Sequence, residues 1–425
     1  MRLLILAFAA PFALSACQGK TDPPGEAPSN VRAVPGDGLA VVSWDMLPDL
    51  TYWIFYQPGS TVDVATPNSI AIRRTFSPRV VANLANDTQY AFVMNATHDD
   101  SSAGPNSLPV LATPKLAGPS WSPGTALGTP PQNLKSLVLG GGRFVAVGDA
   151  ATIFAGDFNY TSNSPNPGVT QWTQIPAAQL PQGFTADLSC VIFNGTFIAL
   201  GTDGSIIAST DGLNWSKGGT SVPGSGMNGL AFGVVFGTST FVAVGNGGQI
   251  FTTTDLNQWH QAGVGITTSD LTSVSVLNQG FVATGTNGTL LTSPTGGVND
   301  WTQIPLNPNT TNTLRSAVYT PFTPNVHYVA VGDAGTIVVS TVFTDWTVIT
   351  SPLTQDLRSV TVGGASASRI LAVGQGGAVV YSDDGVAGTW QTAPPPGSSN
   401  NLASVLFSSG LYLGVGDAGA NVVSR

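Results

Sequence analysis

The sequence predicts an all-β protein: an immunoglobulin-like sandwich followed by a seven-bladed β-propeller. Three observations carry that expectation. Glycine (51) and proline (30) punctuate the 425 residues at short intervals, which suits strands and turns better than long helices. Between residues 28 and 114, short apolar runs alternate at period two, the pattern of half-buried strands. From residue 115 onward one unit recurs seven times, each with a single tryptophan. Composition narrows function as well. Only 9% of residues are charged and the formal net charge is −9, which argues against a nucleic-acid partner. Two cysteines exclude a disulfide-stapled scaffold. The only glutamate is Glu26, so one common acid/base residue is absent from nearly the whole chain.

The first residues read as an address. Met1 and Arg2 give a positive start, and residues 3–13 form an apolar stretch interrupted by Pro11, too short to span a bilayer. Leu14, Ser15, Ala16 and Cys17 follow in that order. This resembles the bacterial lipoprotein lipobox, which implies lipid attachment at Cys17. In that family an Asp after the cysteine marks inner-membrane retention, so Gln18 implies the outer membrane of the cell envelope. Residues 1–17 are then a lipoprotein signal peptide. Residues 18–27, polar and proline-rich, read as a flexible tether.

Residues 28–114 hold about seven short strands, among them "LAVVSWD", "YWIFYQ" and "TQYAFVMNAT", as a sandwich of this length requires. Trp44 is the expected central core residue. Leu84 and Tyr90 in "LANDTQY" have the spacing of a tyrosine corner, in which the phenol returns to backbone. The segment resembles a fibronectin type III domain over its whole length, which implies a spacer or protein-binding module. No Arg-Gly-Asp loop is present.

Residues 115–425 repeat a leading Leu-x-Ser, a first strand, "FVAVG", a tight turn and a further apolar strand. The copies begin "FVAVGDAATIF" (144–154) and end "YLGVGDAGANV" (412–422). Each unit owns one of Trp121, Trp172, Trp215, Trp259, Trp301, Trp346 and Trp390, at a spacing near that of a four-stranded propeller blade. The region opens on Trp121, a fourth strand with no predecessor, and closes on a third strand. The Trp121 segment is therefore expected to complete the last blade.

Two tryptophan segments carry a further pattern: Ser209, Asp211, Gly212 and Trp215 in "STDGLNW", and Ser382, Asp384, Gly385 and Trp390 in "SDDGVAGTW". These resemble the Asp-box turns of BNR and sialidase-like propellers, which implies a structural role at the rim, with Asp accepting backbone N–H bonds. The whole repeat region also resembles the propellers of photosystem II assembly factors, which implies chaperoning of membrane complexes. A sialidase-type site would need a Tyr/Glu pair. Residues 115–425 contain no Glu, leaving only Asp-based glycoside hydrolysis open.

Lys135, Arg315 and Arg358 share the place just after the leading Leu. The repeat is expected to set them near the central channel, as an anion- or peptide-binding patch or as solvated strand ends paired with Asp. Asp149, Asp333 and Asp417 share the slot after "VG", with Asp203 close to it, and read as turn residues in preference to a calcium site. Cys190 reads as a buried, inert thiol, and His98, His260 and His327 are scattered. No catalytic residues, cofactor or metal site are assigned. The expected function is a membrane-anchored, non-enzymatic binding or assembly scaffold that offers a propeller face to a protein partner. The alternative is a cell-envelope protein that binds or hydrolyses glycans.

Overall fold

A computed structural model describes residues 22–98, 100, 102–157, 171–235, 237–321, 326–364, 369–397 and 399–424. Residues 1–21, with the expected signal peptide and Cys17, and Arg425 lie outside the described residues.

The N-terminal module is a sandwich of two antiparallel sheets. Its strands are β1 (Arg32–Gly36), β2 (Leu39–Ser43), β3 (Thr51–Pro58), β4 (Ile70–Thr75), β5 (Arg79–Ala82), β6 (Tyr90–Thr97) and β7 (Val110–Ala112). One sheet runs β1-β2-β5 and the other β4-β3-β6-β7. Their inner faces close over Trp44, which tilts against Tyr52 at 5.5 Å, with Ile54, Phe92 and Met94 beneath. The Tyr90 hydroxyl accepts the Ala85 N–H at 3.0 Å, the bond that the Leu84 to Tyr90 spacing predicts.

The rest of the described chain forms seven sheets, here numbered I to VII. Sheet I takes Leu134–Gly140, Arg143–Gly148, Ile153–Asp157 and Gln171–Gln174 as its first to fourth strands. Sheets II to VI begin the same way at Leu188, Met227, Leu271, Leu314 and Leu357. Sheet V adds a short fifth strand, Leu306–Asn307, parallel to Trp346 and Thr347. Sheet VII uses Leu402–Ser408, Leu411–Gly416 and Asn421–Ser424, and takes its fourth strand, Trp121–Pro123, from the start of the region. Ser424 stands opposite Trp121, so the strand expected to complete the last sheet does pair there.

Each first strand packs on the first strand of the next sheet, and that of sheet VII packs on that of sheet I. The second strands are covered on both faces. That is why "FVAVG" is apolar without alternation, and why Phe144, Val145, Ala146 and Val147 are fully buried.

The module meets the sheets at its β1–β2 turn. Asp37 donates its N–H to the Gly410 carbonyl at 2.9 Å. Its buried carboxylate accepts from Asn86 Nδ2 at 2.7 Å and from the Ala117 N–H at 3.3 Å. The Ala117 carbonyl in turn accepts from Arg369 Nη1 at 2.6 Å. Asp383 grips the same guanidinium through two bonds of 2.8 and 2.9 Å. Ala117 is thus fastened both from the sandwich and from the sheets.

The seven tryptophans are not equivalent. Trp346 is fully buried and Trp215, Trp301 and Trp390 nearly so, whereas Trp121, Trp172 and Trp259 are half-buried. Trp346→Ala should therefore destabilise by about 3–5 kcal/mol, and Trp259→Ala by clearly less, in urea melts of the full chain. Equal losses would contradict the burial difference.

Candidate functional site

The site arises from one irregularity repeated in every sheet. Where the first and second strands pair, the register skips one residue just after the leading Leu or Met. A skipped residue leaves the ladder, bends the strand and re-aims its side chain. The seven residues are Lys135, Ser189, Asn228, Thr272, Arg315, Arg358 and Ala403, and all line one cavity of about 610 Å³. The three cations singled out by the repeat are thus brought together around this cavity, on sheets I, V and VI. Ser189, Asn228 and Thr272 form the neutral remainder, together with Ala403. Sequence reasoning missed these four, although they stand at the same repeat position.

On four strands the next residue is a serine that ties neighbouring sheets together. Ser136 accepts the Val191 N–H at 3.2 Å and Ser316 the Val360 N–H at 3.3 Å. Ser359 accepts from Val405, and Ser404 from Leu137, both at 3.2 Å. Cys190 holds this place in sheet II, facing the Leu230 N–H, and burial pushes its thiol up to about 12. It is a structural thiol rather than a nucleophile. Sheet III has Gly229, where a Cβ would stand only 3.0 Å from the Val274 nitrogen.

The cations are not free. Lys135 pairs with Asp149 and lies 3.9 Å from Asp187. Arg315 grips Asp333 through Nε and Nη2. Arg358 reaches across to Asp417 in sheet VII at 3.4 Å. The Asp residues after "VG" therefore serve as counter-ions. Asp203 instead bonds its own turn, accepting the Ser205 N–H at 2.9 Å. A second set of side chains clasps adjacent sheets at this end. Asp187 accepts the Ala150 N–H at 2.8 Å, Asp270 that of Gly247 at 2.7 Å, and Asp356 that of Ala334 at 2.9 Å. Asn401 and Asn133 do the same for Gly376 and Ala418, at 2.8 and 3.0 Å. The opposite end of the first strands is apolar, with Phe193, Phe232, Val276 and Tyr319 lining a second cavity of about 520 Å³. Among the described residues, no group of three or more His, Cys, Asp or Glu side chains is placed to hold a metal ion.

The Asp boxes lie elsewhere. They connect third and fourth strands, at the end of the sheets opposite the bulges. Ser209 Oγ accepts the Gly212 N–H at 2.8 Å, and Asp211 Oδ1 accepts from Leu213 and Asn214 at 2.8 and 2.9 Å. Trp215 donates to the Gly212 carbonyl at 3.3 Å. Ser382, Asp384, Gly385 and Trp390 repeat the arrangement, with Trp390 donating to the Gly385 carbonyl at 3.2 Å. Bonds from Asn214 and Leu213 hold the Asp211 carboxyl well below the usual carboxylate range. These residues bind their own turns.

Solved structures similar to this chain include two of note. One is YCF48 bound to D1 peptide, at 19% identity and a TM-score of 0.54, covering 72% of this chain and 98% of that one. The other is a catalytically inactive virginiamycin B lyase from Staphylococcus aureus with quinupristin, at 11% identity and a TM-score of 0.57, covering 72% and 99%. Together they show a β-propeller fold. No protein-family model matches the chain, and no curated protein does.

Because folding lowers the Asp211 pKa, its contribution to stability is complete above the unfolded value of about 4. It is lost as pH falls through the lower folded value. The melting temperature of the natural chain should therefore drop more steeply below pH ~4 than that of Asp211→Asn. Thermal melts across that range check this, and parallel curves would count against it.

Proposed function

We propose that the protein is a non-enzymatic binding or assembly scaffold that takes a protein partner at the ring of bulged side chains. In this reading the seven sheets are the blades of a closed seven-bladed propeller, residues 115–425. Residues 28–114 are a fibronectin type III module. Cys17 carries the lipid that anchors the chain in the bacterial cell envelope, at the outer membrane.

The single observation that carries the reading is the cavity in which all seven first strands place one side chain. Its donors are of the kind a peptide satisfies: an ammonium, two guanidiniums, hydroxyls and an amide, with serines just behind. The cations enter already oriented by their Asp partners, so a peptide's carboxylate or carbonyls would find donors whose freedom is already spent. A nucleophile with an adjacent base is not part of this ring; its one thiol belongs to the half-buried Cys190, where desolvation raises the pKa to about 12. The ring suits peptide binding without invoking catalysis. A propeller of similar fold is bound to a peptide in the YCF48 structure.

The test is the triple variant Lys135→Ser, Arg315→Ser, Arg358→Ser. Ion pairs exposed to this degree contribute about 0–1 kcal/mol each, so the fold should survive, as thermal melts can verify. On arrays of acidic and neutral peptides, the natural chain should retain a subset that the variant loses by about tenfold, equivalent to ~1.4 kcal/mol. Unchanged peptide capture, or sugar release and glycan-array binding in place of it, would overturn the scaffold reading.

A further inference from the structure

The module exposes apolar side chains at the end facing away from the propeller. β2 ends at Ser43, β4 ends at Thr75 and β5 begins at Arg79, so loops 44–50 and 76–78 share that end. The β1–β2 turn with Asp37 is at the other end, on the sheets. The two loops are stitched together at Ser77, whose Oγ accepts the Trp44 N–H at 2.9 Å and whose N–H reaches Met46 Sδ at 3.4 Å. Leu47 donates its N–H to the Tyr52 hydroxyl at 2.8 Å, and Tyr52 pairs with Thr75. These bonds hold the backbone while Phe76 is 73%, Leu47 60% and Met46 44% exposed. Large apolar side chains presented side by side on a braced tip mark an interaction surface.

Arginines flank the tip. Arg73 lies over the Trp53 ring at 4.8 Å, Arg74 pairs with Asp100 at 2.5 Å, and Arg79 is exposed. Among the described residues, neither Arg73 nor Arg79 has a carboxylate within ion-pair distance. Asp45 and Asp49 stand at the same end, with Asp45 accepting from Ser29 and Asn30. Net charge is therefore small, and apolar contact must lead.

The direction of the chain selects the occupant. β1 begins at this end, and Pro24 is buried beside Gly104 next to it. From Pro24 back to Cys17 are seven residues, which span at most about 25 Å. We propose that this end of the module rests on the bilayer. Phe76, Leu47 and Met46 enter the interfacial layer, and Arg73 and Arg79 face lipid phosphates. The proposal rests on the lipid-anchor reading, because a lipid at Cys17 keeps the tip within reach of the surface.

The experiment uses the full chain, produced with its signal peptide in a bacterium and reconstituted into phosphatidylethanolamine and phosphatidylglycerol vesicles. Cys190→Ser removes the native thiol, with the residue that sheets I, IV, V, VI and VII carry at that place. Leu47→Cys, Phe76→Cys and, as a control on a propeller edge, Lys217→Cys are each labelled with an environment-sensitive fluorophore. Brominated lipid should quench the probes at 47 and 76 strongly and the one at 217 hardly at all. A chain that associates with vesicles but shows no quenching at 47 and 76 overturns the docking surface and leaves the anchor standing. A chain that fails to associate overturns both.

Discussion

Seven first strands converge in this fold, and the space between them allows only a small side chain at the place after each bulge. Ser136, Cys190, Gly229, Ser273, Ser316, Ser359 and Ser404 meet that constraint. Ser136, Ser316, Ser359 and Ser404 each accept a backbone N–H of the next sheet. Gly229 marks a close approach, where a Cβ would stand 3.0 Å from the Val274 nitrogen and 3.1 Å from Ser273 Cα, inside ordinary van der Waals contact. Everything at the cavity follows. With the serine position committed to holding sheets together, the residue before it is the one released from the ladder. Its side chain is therefore the variable element of the ring.

The variability is electrostatic. Lys135, Arg315 and Arg358 occupy sheets I, V and VI, separated only by Ala403 of sheet VII, so the cations share one arc. Their Asp partners sit in the turns of the same or the following sheet. Because these pairs are about one third exposed, water screens them and they add little to stability. Orientation is the stronger consequence. Asp333 takes two donors of Arg315, while Arg358 meets Asp417 through one nitrogen at 3.4 Å. Arg358 is accordingly the cation with most donor capacity left for a ligand.

Much of this was legible in the sequence, and the limits have physical causes. A strand buried on both faces must be apolar throughout, so "FVAVG" announced itself seven times. The tryptophan count and the displaced Trp121 strand followed from the same repeat. The cations were visible because repetition places equivalent residues on one ring. The bulge was not, since it is a property of pairing rather than composition, and so Ser189, Asn228 and Thr272 went unremarked. The joint between the sandwich and the sheets was also hidden. Asp37 and Arg369 reach Ala117 from positions far apart in the chain, and no local pattern distinguishes them from surface charges.

That joint decides what the two ends of the molecule can do independently. It engages sheets VI and VII through Gly410 and Arg369, at the ends of the strands remote from the bulges. A ligand in the cavity therefore does not compete with the module for space. Asp37 and Arg369 are both buried, so removing either leaves its partner groups without their bonds, a far larger loss than at a solvent-screened pair. Ala117 is gripped through its N–H from one side and its carbonyl from the other, which removes the freedom a linker residue would need to act as a hinge. The orientation of the cavity is thus set by the same few bonds that set the orientation of the tip carrying Leu47 and Phe76.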